Sequence, residues 1–103
     1  MIARIWHGWT SKSDAVTYER MLREEIFPDI AGRKIGGYRG AELFIREDDE
    51  HYEVEFVTLL RFDSMDAVKE FAGEDERRPV IYPSAEPLLI RMDERSQHYR
   101  VVV

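Results

Sequence analysis

From Ile2 to Thr10 the side chains fall, with period two, into one set holding Ile2, Arg4, Trp6 and Gly8 and another holding Ala3, Ile5, His7 and Trp9. That pattern predicts a strand over residues 2–10. The two tryptophans are three positions apart and fall on opposite faces, so both faces of this strand are expected to be covered. Ser11-Lys12-Ser13-Asp14 reads as a helix start, with Ser11 or Ser13 as the cap and Asp14 in the first turn. Ala15, Tyr18, Leu22, Ile26 and Ile30 recur every three or four residues, with Met21 widening the stripe, which predicts an amphipathic helix. Glu19 with Arg23 and Arg20 with Glu24 are i,i+4 pairs on its outer face. Pro28 lacks the backbone N–H and crowds the preceding turn, so a kink or an end is expected there.

A second strand is predicted over residues 38–46, then a charged turn, Arg46-Glu47-Asp48-Asp49-Glu50, and a third strand over residues 52–62. In that third strand Tyr52, Val54, Phe56, Thr58, Leu60 and Phe62 form the more apolar set, expected to meet the helices. The alternate set, Glu53, Glu55, Val57, Leu59 and Arg61, is polar at its ends and apolar in its middle, which suits a face closed by a partner subunit. Asp63-Ser64-Met65-Asp66 predicts a second helix start, Ala67, Val68, Phe71 and Ala72 its buried stripe, and Gly73 its stop. Ser84 is a candidate cap for a short helical segment through Leu88, Leu89 and Ile90. Residues 96–103 read as the last strand, ending in the apolar edge Val101-Val102-Val103, which a second subunit would cover. The order strand-helix-strand-strand-helix-strand predicts an α+β, ferredoxin-like sandwich: two helices on one face of a four-stranded antiparallel sheet, with the last strand beside the first.

Composition narrows the chemistry. The length, 103 residues, suits one domain spanning residues 1–103, and oligomerisation is a natural supplement to so small a core. The net charge of −6 argues against a general nucleic-acid surface, whose affinity rests on lysine and arginine. There is no cysteine, which excludes disulfides, thiolate metal sites and a cysteine nucleophile. No apolar run approaches the roughly 20 residues of a membrane helix. The first residues show no basic region followed by a signal-type apolar core, so a cytoplasmic location is expected. No G-x-x-x-x-G-K-[ST] loop, G-x-S-x-G elbow or RNA-recognition motif is present.

Of the three histidines, His51 lies in the charged turn and reads as solvated. His7 and His98 lie on strands expected to be neighbours. If their faces match, they could share a pocket suited to acid–base work near neutral pH; otherwise each is a hydrogen-bonded core or interface histidine. Two histidines with Glu55 or Glu94 could also bind iron or zinc, although no H-x-H or H-x-x-x-H spacing occurs. Trp6, Trp9, Tyr18, Phe56, Tyr82 and Tyr99 could line an aromatic-ligand pocket or simply form core. Tyr82 stands in the proline-bounded Pro79-Val80-Ile81-Tyr82-Pro83, where a lid or pocket wall is plausible. Arg4 and Arg61 fall on central strands. Each either pairs with an acid, Glu53 or Glu55 for Arg4, or holds a substrate oxyanion.

Ile2-Ala3-Arg4-Ile5-Trp6 opens the chain, Tyr18 to Phe27 makes a long first helix, Gly37-Tyr38-Arg39-Gly40 follows, and Val57 to Arg61 runs into Phe62-Asp63-Ser64-Met65-Asp66-Ala67-Val68. On these segments nearly the whole chain resembles the antibiotic biosynthesis monooxygenase domain family of the dimeric α/β barrel superfamily. The resemblance implies a homodimer in which two sheets pack face to face as a barrel, with a pocket in each subunit between sheet and helices. Some members oxygenate phenols without a cofactor, by letting the deprotonated substrate react directly with dioxygen; others break down haem. Both commonly use a pocket asparagine, and this chain contains none. The resemblance therefore implies a cofactor-independent monooxygenase-like protein for an activated aromatic or quinone-type small molecule. His7 and His98 are its acid–base candidates, with His98 preferred; Trp6, Trp9, Phe56 and Tyr82 would shape the pocket; Arg4 or Arg61 would steady an anion. The alternatives are a non-catalytic dimeric binding or accessory protein of the same fold, and a metal- or haem-dependent variant.

Overall fold

A computed structural model of the chain describes residues 1–47 and 52–103; His51 and most of the charged turn lie outside them. The first strand, β1 (Ile2–Ser11), is the centre of an antiparallel sheet. It pairs on one side with β3 (Glu53–Phe62), which pairs in turn with β2 (Tyr38–Ile45). Its other side is shared by two short strands end to end: β4 (Leu89–Met92) along Gly8 to Thr10, and β5 (Gln97–Arg100) along Ile2 to Ile5. The order β2-β3-β1-β4/β5 is that of the ferredoxin-like sandwich expected from the element sequence.

The alternation of the third strand assigned its faces correctly, and the structure adds which set of β1 meets the helices. Arg4, Trp6 and Thr10 of β1 and Phe56, Leu60 and Phe62 of β3 are buried under the helices. Ile5, His7 and Trp9, with Glu53, Glu55, Val57, Leu59 and Arg61, lie half-buried on the opposite, open face. Ser11 caps α1 (Lys12–Met21) by accepting from the Asp14 N–H, and Ser64 caps α3 (Met65–Ala72) by accepting from the Ala67 N–H. Gly73 ends α3 at φ 95°, a conformation that costs glycine little. Tyr18, Leu22, Ile26 and Ile30 form the buried stripe of the first helical segment, and Ala67, Val68 and Phe71 that of α3.

Three expectations give way. The first helix is not ended by Pro28. It passes through a π-helical turn (Leu22–Ile26) and continues as α2 (Phe27–Gly32). Proline offers no N–H for the carbonyl four residues back, and the ladder shifts register just before it: the Phe27 N–H reaches the carbonyl of Leu22, five residues away. The helical segment expected from Ser84 to Ile90 is only a 3₁₀ turn (Glu86–Leu88), after which Leu89 and Ile90 extend into β4. The last strand ends at Arg100; Val101 donates its N–H to the Met1 carbonyl, and Val102 and Val103 are exposed beyond the ladder. Among the described residues no helix is long and apolar enough to cross a membrane.

Candidate functional site

Between the covered face of the sheet and the first helix lies a cavity of about 60 Å³. Its floor is Arg4, Trp6, Thr58 and Leu60. The helix supplies Tyr18, Leu22, Ile26, Phe27 and Ile30, with Phe71 of α3 at one end. The π-helical turn bears on this wall, because Leu22 and Ile26 are its first and last residues. The remaining side is the chain between α3 and β4, through Val80, Ile81, Tyr82 and Ala85, together with Ser96. An engineered apolar cavity of about 150 Å³ takes benzene. An aromatic ligand here therefore requires one wall to move, and the Val80–Tyr82 stretch is the wall outside regular secondary structure. Its polar tie is the Tyr82 hydroxyl, which donates to Asp29 on α2 at 2.5 Å. Burial, followed by that hydrogen bond, pushes the Tyr82 phenol up to about 12.

Arg4 dominates the electrostatics. Its residue is 3% exposed, and no carboxylate among the described residues touches it. Nη1 donates to the Glu76 carbonyl at 2.5 Å and Nη2 to the Arg78 carbonyl at 2.8 Å, so the guanidinium anchors the chain between α3 and β4. Nη1 also lies 2.9 Å from Nε2 of His98. A guanidinium can only donate, so His98 accepts there and carries its ring proton on Nδ1. Burial lowers the Arg4 pKa to about 10, which still leaves the group charged at neutral pH. Burial and then the charge of Arg4 lower the His98 pKa below its ordinary 6.5, so His98 is neutral at pH 7. Phe71 lies under the guanidinium, with its ring centroid 5.4 Å from Cζ.

This architecture recurs in solved structures. A protein from Bacillus cereus, provisionally named an antibiotic biosynthesis monooxygenase, aligns over 97% of this chain and 90% of its own, with a TM-score of 0.60 and 18% identity. Rv0793 from Mycobacterium tuberculosis aligns over 100% of this chain and 97% of its own, with a TM-score of 0.57 and 19% identity. No protein-family model and no curated protein matches the chain. The chain shares the fold of these two proteins. At these identities the likeness is one of fold, and the site has to be read from this chain's own side chains.

In this fold the expected site residues divide between the two faces of the sheet. Arg4, Trp6 and Tyr82 line the cavity, while Phe56 is enclosed in the core beside it. His7 and His98 do not share a pocket. His98 stands opposite Arg4 in the ladder and so on the covered side, whereas His7 stands opposite Val57 and points to the open face. There His7 Nδ1 lies 2.6 Å from Oδ2 of Asp93, which also accepts from the His7 backbone N–H at 2.9 Å. Trp9 is on the same open face, with Arg91 stacked 3.9 Å from the centroid of its ring. Arg4 does not pair with Glu53 or Glu55: both lie on the opposite face, with Arg91 and Arg46 respectively. Arg61 is on the open face too, bonded to Glu42. Among the described residues no three metal-ligating side chains come together, so the proposed set of histidines with Glu55 or Glu94 does not form.

Three contributors escaped the sequence reading. Asp93 fills the gap between β4 and β5: its N–H donates to the His7 carbonyl and its own carbonyl accepts from Trp6 Nε1 at 3.0 Å. Nothing in its surroundings, Met92-Asp93-Glu94-Arg95, marks it out. Ser96 enters the cavity because the edge strand is interrupted just before it. Thr58 carried a signal: it is the lone aliphatic alcohol in the otherwise apolar and aromatic alternate set of β3.

Proposed function

We propose that this chain is a cofactor-independent monooxygenase-like protein acting on a small hydroquinone-type phenol, and that it works as a homodimer with the open faces of two sheets packed together. The observation that supports the reaction is Arg4: a buried cation without a carboxylate partner on the wall of a largely apolar cavity. A guanidinium has five N–H donors, and three contacts account for part of them. Such a group stabilises a phenolate far more than water would, because its field acts in a poorly screened site. The phenol O–H proton passes to His98, on the far side of Arg4; an oxyanion that draws Arg4 inward releases the Nε2 lone pair. The electron-rich ring carbon then forms a C–O bond to dioxygen, and the peroxide takes up the proton held by His98. The resulting hydroperoxide loses water, taking the C–H proton with it, and leaves a carbonyl. Hydroquinone and O2 give hydroxyquinone and water, with no other oxidant or reductant.

The second reading is a non-catalytic binding protein. It is favoured by the resting geometry of His98, whose Nε2 is already occupied by Arg4 and whose ring sits outside the cavity with Arg77, Gln97 and Tyr99. Oxygen uptake with hydroquinone- and anthrone-type phenols, followed by product identification, separates the two. In the oxygenase reading Arg4→Met lowers turnover about a hundredfold, and His98→Ala lowers it as well. Background uptake with wild-type protein that still binds the phenols leaves the binding reading standing. For the dimer, the support is the apolar middle of the open face: Ile5, Val57 and Leu59, with Phe44 and Tyr99 about half exposed. Sedimentation at micromolar concentration should give twice the chain mass, and a monomeric mass would contradict the pairing.

A further inference from the structure

Tyr18 is a buried ionisable group that the proposed reaction does not use. It is 3% exposed and lines the cavity, yet among the described residues its hydroxyl has no hydrogen-bond partner. Every fully enclosed side-chain nitrogen or oxygen among these residues does have one. The Tyr18 hydroxyl is therefore not fully enclosed, and Tyr18 is one of the residues that line the cavity. A tyrosine placed only for packing gains nothing from such a hydroxyl, which loses water without a replacement.

Its position relative to Arg4 follows from the ladder. Arg4 is level with Leu60 and His98 at one end of the cavity floor. Two residues on, Trp6 is level with Thr58. Two further on, Gly8 is level with Phe56, and the Tyr18 ring stands edge-on to Phe56 with centroids 4.8 Å apart. Arg4 and the Tyr18 level are thus four residues apart along β1, or about 13 Å at the strand rise. Both residues line the cavity, and Trp6 and Thr58 lie at the level between them, with Leu22 and Ile26 on the helix wall. The cavity therefore has a cationic end, a mostly apolar middle with the Thr58 hydroxyl on its floor, and a neutral donor toward the other end.

We propose that Tyr18 donates a hydrogen bond to a second oxygen of the ligand, across the ring from the oxygen held at Arg4, so that the site selects para-oxygenated monocyclic aromatics. This rests on the reading of the cavity as a phenol site and names its specificity. Burial holds the Tyr18 phenol at about 12, so it remains a donor throughout the neutral range. A site built to bond a ligand oxygen discriminates strongly against an analogue that lacks it, whereas an apolar end does not.

The test is calorimetric titration of wild-type protein and Tyr18→Phe with 4-hydroxybenzoate, benzoate and 2-hydroxybenzoate, none of which requires oxygen to bind. Wild type should bind 4-hydroxybenzoate about tenfold more tightly than benzoate. Tyr18→Phe should erase that preference, leave the other two within about twofold of wild type, and leave the thermal midpoint unchanged. Equal weakening of all three ligands overturns the inference, as does a wild-type protein that fails to prefer 4-hydroxybenzoate, including one that binds none of them. Oxygen uptake on the same preparations reads the reaction separately. Background uptake with intact para-selectivity removes the oxygenase and keeps the role of Tyr18; uptake without para-selectivity does the reverse.

Discussion

The two faces of the sheet are built from the same strands and solve different problems. On the covered face, charge is scarce. Arg4 is its central cation, held by two backbone carbonyls and a neutral histidine. On the open face, charge is plentiful and arranged as a rim: Arg61 with Glu42, Arg91 with Glu53 and Arg46 with Glu55 surround an apolar middle. Exposed ion pairs of this kind add little to stability, typically below about 1 kcal/mol each. The contrast separates roles that look alike in the sequence. His7 and His98, Arg4 and Arg61, and Trp6 and Trp9 are pairs of like residues, and in each pair one member serves the cavity side and the other the open side.

Truncating one phenylalanine on each face gives the largest separation. Phe62 is fully buried, and Phe62→Ala should cost about 3–5 kcal/mol by urea denaturation. Phe44 is 47% exposed, and Phe44→Ala should cost less than about 1 kcal/mol when measured on dilute monomer. If two sheets pair, the Phe44→Ala cost grows with protein concentration while the Phe62→Ala cost does not. Equal and concentration-independent costs would remove the distinction between the faces.

Gly8 tests how tightly the covered face is packed. A Cβ at this position would lie 2.8 Å from two atoms of the Trp6 ring and 2.9 Å from Cδ2 of Leu89. Gly8→Ala must therefore displace Trp6, a cavity wall, and should cost about 1–3 kcal/mol. Ligand affinity should fall with it. A substitution that leaves both unchanged would show that the Trp6 ring is not fixed by this contact.

The sequence carried the fold because the fold rests on repeated local signals. Period-two alternation in β1 and β3, Ser11 and Ser64 as caps, and the stripe from Tyr18 to Ile30 each point the same way. The segment from Gly73 to Met92 was harder. Leu88-Leu89-Ile90 is too short for periodicity to separate helix from strand, and the pairing of Leu89 with Thr10 is a long-range contact with no local trace. The site divides along the same line. That Arg4 and Trp6 share one face was readable from alternation; which face of β1 meets the helices was not. That Arg4 would be satisfied by the carbonyls of Glu76 and Arg78 was not, since those groups belong to every residue and leave no mark on side-chain chemistry. The register of β5 against β1, which decides that His98 meets Arg4 while His7 turns away, depends on the interruption at Asp93 to Ser96.

The smallest expected effect concerns the pH dependence contributed by His98. Its pKa is lowered in the folded chain, first by burial and then by Arg4. Below the ordinary value of 6.5 the unfolded chain takes up a proton that the folded chain resists. Stability from this group is therefore complete above about pH 6.5 and declines as the pH falls from there toward the lower folded pKa. Asp63 and Asp75, whose pKa values are lowered mainly by hydrogen bonds from Arg39 and Arg95, act in a more acidic range, below 3.8. His98→Gln keeps an acceptor for Arg4 and removes the titration. Denaturation midpoints of wild type and His98→Gln should converge at pH 5 relative to their difference at pH 7.5, with the mutant's profile flatter across that interval. The equivalent change on the open face, His7→Gln, should leave the slope due to His98 in place, since it touches neither Arg4 nor the cavity. Parallel wild-type and His98→Gln profiles between pH 7.5 and 5 would show that the Arg4–His98 contact does not disfavour protonation, and would return His98 to the role of an ordinary surface histidine.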